Sequence, residues 1–163
     1  MNATNKCRGA IAAAVLAALP ALAQEVQNPL ARRAAQSPFD LAEGTWNGAN
    51  LENRSNCSNP GRNGFHGTYG EFVVGFDRVA HVMSINETTI TSPPLTCTYI
   101  GPYTDDRLRP QWTGTVSCSD GKNGNFTMTQ LLATPNAMNV RVSFRMTGGE
   151  TCDVDAILGG SRF

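Results

Sequence analysis

The chain has 163 residues, with 13 basic and 13 acidic side chains, a length that suits one domain once any targeting segment is set aside. Its arginines are scattered among carboxylates, and only Arg32-Arg33 and Arg107/Arg109 cluster. That balance argues against nucleic acid or an anionic membrane as a standing partner.

Residues 1–23 read as a cleaved signal peptide: Lys6 and Arg8 form a basic start, an apolar run follows, Pro20 breaks it, and Ala21-Leu22-Ala23 is a small-x-small cleavage site. The apolar stretch is well short of the ~20 residues a membrane span needs, so no membrane insertion is expected after cleavage. Cys7 precedes the apolar run and would leave with the peptide, as would two positive charges, which takes the remaining chain to minus two. Residues 24–38 are polar without a sustained apolar period and are expected to be a flexible lead-in. The domain is then 39–163.

From Trp46 on, alternating segments follow one another between Gly, Pro, Asn and Asp clusters. Eight strands are predicted, over 45–51, 68–76, 79–86, 95–100, 111–118, 125–132, 138–146 and 151–158. The clearest sets Met138, Val140, Val142, Phe144 and Met146 against Asn139, Arg141, Ser143 and Arg145, the two-residue period of a half-buried strand. In the sixth, Phe126, Met128 and Leu132 share one face; in the eighth, Val154, Ala156 and Leu158 oppose Asp153 and Asp155. Hairpin-length connections at 77–78, 133–137 and 147–150 favour an all-β, eight-stranded antiparallel up-and-down barrel, with a two-sheet sandwich as the alternative. A barrel of eight strands has an interior either filled by side chains or holding one small ligand.

The run Phe39-Asp40 followed by Gly44-Thr45-Trp46 resembles the start of the calycin barrels, the lipocalins and their avidin cousins, and the resemblance covers the two chain ends. In lipocalins the Trp lies across the closed end of the barrel and an Arg after the last strand packs over it. The resemblance therefore implies that Trp46 and Arg162 form a structural base through a cation–π contact. The set of biotin-binding tryptophans of avidins is absent, so no biotin contact carries over.

Four cysteines remain after the leader, Cys57, Cys97, Cys118 and Cys152, an even count that reads as two disulfides in an exported protein, periplasmic or extracellular. Three pairings are possible. If the strands alternate up and down, all four cysteines fall at the end opposite Trp46, the fourth and fifth strands favour Cys97–Cys118, and closure favours Cys57–Cys152. No C-x-x-C spacing exists and only two histidines are present, so neither zinc nor any other metal or cofactor is expected.

Catalytic motifs are missing: no G-x-S-x-G, P-loop, H-E-x-x-H or G-x-G-x-x-G occurs. His66 in a Gly-rich connection and His81 in the third strand are read as structural, Asp153 and Asp155 as solvent-facing, and the Asn53, Asn56, Asn86 and Asn125 sequons as uninformative. The protein is expected not to be an enzyme. Trp46, Phe72, Phe76, Tyr99, Trp112, Phe126 and Phe144 are placed inward, where they fill the core or line a pocket. The longest connection, 52–67, is expected at the open rim, anchored by Cys57, with 87–94 and 119–124 beside it. Two functions follow. Either the barrel binds a small, partly apolar ligand, with Arg54, Arg62, Phe65, His66, Tyr99, Trp112 and Phe144 as candidate contacts, or the rim binds a secreted or periplasmic protein such as a hydrolase. A void of about 300 Å3 or more favours the ligand; a core packed solid by Trp112, Phe126 and Phe144 counts against it.

Overall fold

The computed structural model describes residues 37–106 and 109–162. The expected leader, Arg32-Arg33, Arg107 and Phe163 lie outside the described residues. A short helix α1 (Pro38–Ala42) is followed by β1 (Gly44–Ser55), a 3-10 turn (Pro60–Arg62), β2 (Gly64–Asp77), β3 (Val82–Thr89), β4 (Thr96–Thr104), β5 (Gln111–Cys118), β6 (Asn123–Ala133), β7 (Ala137–Met146) and β8 (Cys152–Ser161). Each strand pairs antiparallel with the next, and β8 pairs with β1, so the sheet is a closed eight-stranded barrel and not a sandwich. An even number of up-and-down strands leaves the first and last antiparallel, and their pairing removes both free edges. The seam needs glycine: a Cβ on Gly48 would fall 1.9 Å from the Gly159 carbonyl oxygen.

Two-residue alternation sends one set of side chains inward from every strand. Val140, Val142, Ala156 and Leu158 are fully buried, as are Met83 and Ile85 across the barrel. Trp112 stacks edge-on against Phe126 with centroids 4.4 Å apart, and Tyr99 lies 5.8 Å from Phe126 and 6.5 Å from Phe144. From base to mid-height the interior is therefore filled. This aromatic and aliphatic packing is the dominant stabilising burial of the fold.

Helix α1 closes the end where β1 begins and β2 and β4 finish. Pro38 opens it with a preset φ, and Ser37 caps it by accepting from the Phe39 N–H. Ser37 also donates to Asp105. These contacts place Ser37 and Pro38, read above as lead-in, within the folded part. Phe39 is buried against Phe76 and Tyr103. Trp46 lies beneath with its indole N–H donated to the Ala42 carbonyl at 2.8 Å, and the Arg162 guanidinium sits 4.2 Å from the ring centroid. Arg162 also donates to the Glu43, Leu41 and Pro135 carbonyls, tying the last residues to α1 and to the β6–β7 turn.

At the opposite end Cys57 bonds to Cys152 and Cys97 to its cross-strand partner Cys118. Three strand-level expectations change. A bulge between Met128 and Gln130 shifts the phase of β6, so Leu131 points inward and Leu132 outward at 56% exposure, opposite to the regular alternation. His81 is not in a strand: it ends the β2–β3 turn with φ +52°, after Asp77 accepts from the Val79 and Ala80 N–H groups. The connection expected over 52–67 is only 56–63, because β1 runs on to Ser55 and β2 starts at Gly64.

Candidate functional site

The inward face of β1 changes character from base to top: Trp46, Gly48, Asn50, then Glu52 and Arg54. Beside it β2 turns His66 and Thr68 inward, and β3 turns in Glu87. Across the barrel stand Leu95 and the Cys97–Cys118 disulfide, with Arg62 and Lys122 at the mouth. These groups enclose a cup of about 250 Å3 above the packed aromatic core. One wall is polar and charged, and the other is apolar.

The polar wall is two hydrogen-bonded units. Arg54 donates through Nε (2.8 Å) and a terminal nitrogen (2.5 Å) to one oxygen of Glu52, so this cation and this anion neutralise each other. Glu87, only 2% exposed, accepts from Asn50 Nδ2 at 3.0 Å and from the Thr68 hydroxyl at 3.1 Å, both neutral donors. Burial raises the Glu87 pKa above the ordinary carboxylate range; the Thr68 and Asn50 hydrogen bonds pull it back in part, and the Glu52 charge adds to the rise. Asn50 is 4% exposed, and its carbonyl Oδ1 has no hydrogen-bond partner. The Tyr99 phenol lies just below: burial first, then the Glu87 and Glu52 charges, push its pKa well up, and hydrogen bonding with the Asn50 side chain pulls it back in part. His66 Nε2 is 2.9 Å from the Arg62 carbonyl, which can only accept, so this nitrogen carries the proton. At the mouth Lys122 pairs with Asp120 at 2.7 Å, and Arg62 stands 3.9 Å from Glu150.

Neither a protein-family model nor a curated protein matches this chain. The site is therefore read from its own chemistry.

Of the candidate contacts named from sequence, Arg54, Arg62 and His66 line the cup. Tyr99, Trp112 and Phe144 belong to the packed interior beneath it. Phe65 is a correction: one residue out of phase with His66, it is 74% exposed on the outer wall, in a depression it shares with Leu51 and Ile157. Arg54 is likewise not a rim group, since it is buried inside the cup. The residues not anticipated are Asn50, Glu52, Thr68 and Glu87. Their signal is the two-residue phase of each strand carried to the top, from Trp46 in β1, from Phe72 back to Thr68 in β2 and from Ile85 to Glu87 in β3, which polar side chains hide. Asp153 and Asp155 face outward, bonded to Arg145 and Ser143. Cys57, Cys152 and Glu150 bring ligand-type atoms together within 4.8 Å, but the two sulfurs are bonded to each other and offer no thiolate.

Proposed function

We propose that the protein is an exported, non-enzymatic binding protein that holds a small, partly apolar ligand in the cup at the open end of the barrel. The observation that carries this reading is a cavity of about 250 Å3 with two unlike walls, set above an interior that is otherwise full. That volume falls short of the about 300 Å3 set above as favouring a ligand, and Trp112 and Phe126 pack the interior beneath, so the reading narrows from a ligand inside the barrel to a small, partly apolar one at its open end. Two disulfides support export, because such bonds persist in oxidising compartments. A binding role is supported by how the reactive side chains are engaged: Thr68 donates to Glu87, His66 to a carbonyl, and the cup's cysteines are oxidised. The rim reading rested on the connection 52–67 with 87–94 and 119–124 beside it; of the first, only 56–63 is loop, and Arg54 is buried and paired with Glu52 within the cup.

Native mass spectrometry of protein purified from its host tests the proposal. A small non-covalent adduct is expected, and Thr68→Phe, which fills the cup, should abolish it while the near-ultraviolet circular dichroism stays that of the folded barrel. An adduct retained by Thr68→Phe, or wild-type protein that never carries one, contradicts the cup as a binding site.

A further inference from the structure

We infer that the cup is built for a primary ammonium group, seated on Glu87 and Asn50 with its apolar tail against Leu95 and the Cys97–Cys118 disulfide; this rests on the cup being the binding site. The floor carries a buried carboxyl group that has no cationic partner among the described residues. Glu52 is matched by Arg54, whereas Glu87 forms no ion pair among the described residues and is held only by an amide and a hydroxyl. A carboxylate taken out of water on neutral donors calls for a cation beside it. Next to it the Asn50 carbonyl has no hydrogen-bond partner among the described residues, one of the amide hydrogens of that side chain being given to Glu87, so a donor brought by a ligand would satisfy it. Thr68, with its proton committed to Glu87, has oxygen lone pairs left to accept.

The floor thus presents three acceptors, a carboxylate, an amide carbonyl and a hydroxyl oxygen, to a ligand with three donors. An ammonium has three donors and no acceptor, in a compact head that suits a small cavity; a guanidinium spreads five donors over a wider plane. A carboxylate or phosphate would meet Glu87 and the Asn50 oxygen head-on. The mouth does not bar a cation, because Lys122 and Arg62 each face a carboxylate. A second positive charge on the ligand would meet those two side chains, so a monocation with a short apolar tail is the fitting class. A free amine and a peptide N-terminus both offer that head.

The test titrates ligand-free protein, in phosphate buffer without amines, and follows amide signals of Thr68, Glu87 and Leu95 by NMR. The probes are n-butylammonium, butan-1-ol, butanoate, and trialanine with a free or acetylated N-terminus. Butylammonium is expected to bind at the cup at least about tenfold more tightly than butanol, the gain typical of a charge-assisted hydrogen bond, and butanoate not to bind. Glu87→Gln, whose amide oxygen still accepts from Asn50 while its NH2 can donate to the Thr68 hydroxyl, should lose about tenfold or more for the ammonium and nothing for butanol. If that variant does not fold, Thr68→Val should give a loss for the ammonium alone. Capture of free but not acetylated trialanine extends the ligand to peptide N-termini; butylammonium alone restricts it to small amines. Butanol binding as well as butylammonium, or butanoate moving the cup signals, overturns the ammonium assignment and leaves the cup as a site. Cup signals unmoved by every probe overturn the assignment whatever adduct the native protein carries.

Discussion

Trp46 at the base should be worth a large core residue and nothing to recognition. Its side chain is fully buried, its indole N–H satisfies the Ala42 carbonyl, and the Arg162 guanidinium covers the ring at 4.2 Å. Truncating a buried Trp to Ala removes about 3–5 kcal/mol. The cation–π contact, on the order of 1 kcal/mol, is part of that loss and can be separated by a double-mutant cycle with Arg162→Ala. Trp46→Phe keeps most of the ring but orphans the Ala42 carbonyl, at a cost of about 1–3 kcal/mol. The expected readout is urea unfolding of the oxidised protein, with midpoints ordered wild type, Trp46→Phe, Trp46→Ala, and a coupling near 1 kcal/mol between Trp46 and Arg162. Binding at the cup by the folded fraction should not change. A Trp46→Ala loss below about 1 kcal/mol would refute the base as a packed plug; a drop in cup affinity in Trp46→Phe would refute the separation of base from site.

Other consequences are as direct. Because burial raises the Glu87 pKa in the folded state, the fold holds this proton more tightly than the unfolded chain does, so its contribution to stability is full below the ordinary carboxylate range and is lost as pH rises through the folded pKa. Glu87→Gln should remove that fall and stabilise the ligand-free protein by about 1 kcal/mol at neutral pH, and urea titrations of both proteins from acid to neutral pH will show equal slopes if the reasoning is wrong. Replacing Cys57 and Cys152 together by Ser opens a loop with a sequence separation of 95, against 21 for Cys97 and Cys118. The first pair should therefore cost more, about 4–5 against about 3 kcal/mol, and equal losses in thermal or urea unfolding would argue against a chain-entropy origin. Leu131→Ala should cost about 2–5 kcal/mol and Leu132→Ala within about 0.5, the reverse of a bulge-free β6.

The eight strands were legible because burial on one face imposes a period of two, and Met138 to Met146 or Val154 to Leu158 display it with apolar side chains. The cup was not legible for the same reason turned round. Asn50, Glu52 and Arg54 continue the inward phase of Trp46, but polar residues at those positions look like the end of a strand, so the alternation alone ends β1 at 51 and makes 52–67 a long loop. Glu87, the last inward charge of β3, falls in a rim connection on the same ground. Phe65 is a candidate contact through its place in the connection 52–67, although strand phase sets it on the opposite face from His66. The shifted phase after Met128 has no local mark in the sequence, since a bulge is fixed by pairing with β7 and not by composition. Gly48 and Gly160 are visible as glycines, but their purpose, the close approach of β1 and β8, exists only in the closed barrel.

The central claim is that the base is structural and that binding occurs at the open end. The most direct measurement returns the small molecule released from native protein to ligand-free protein and maps backbone amide shifts residue by residue. The account predicts shifts concentrated at Asn50, Thr68, Glu87 and Leu95, with Ala42, Trp46 and Arg162 unmoved. Shifts confined to the outer wall around Phe65, Tyr69 and Ile90, or to the base, would contradict it.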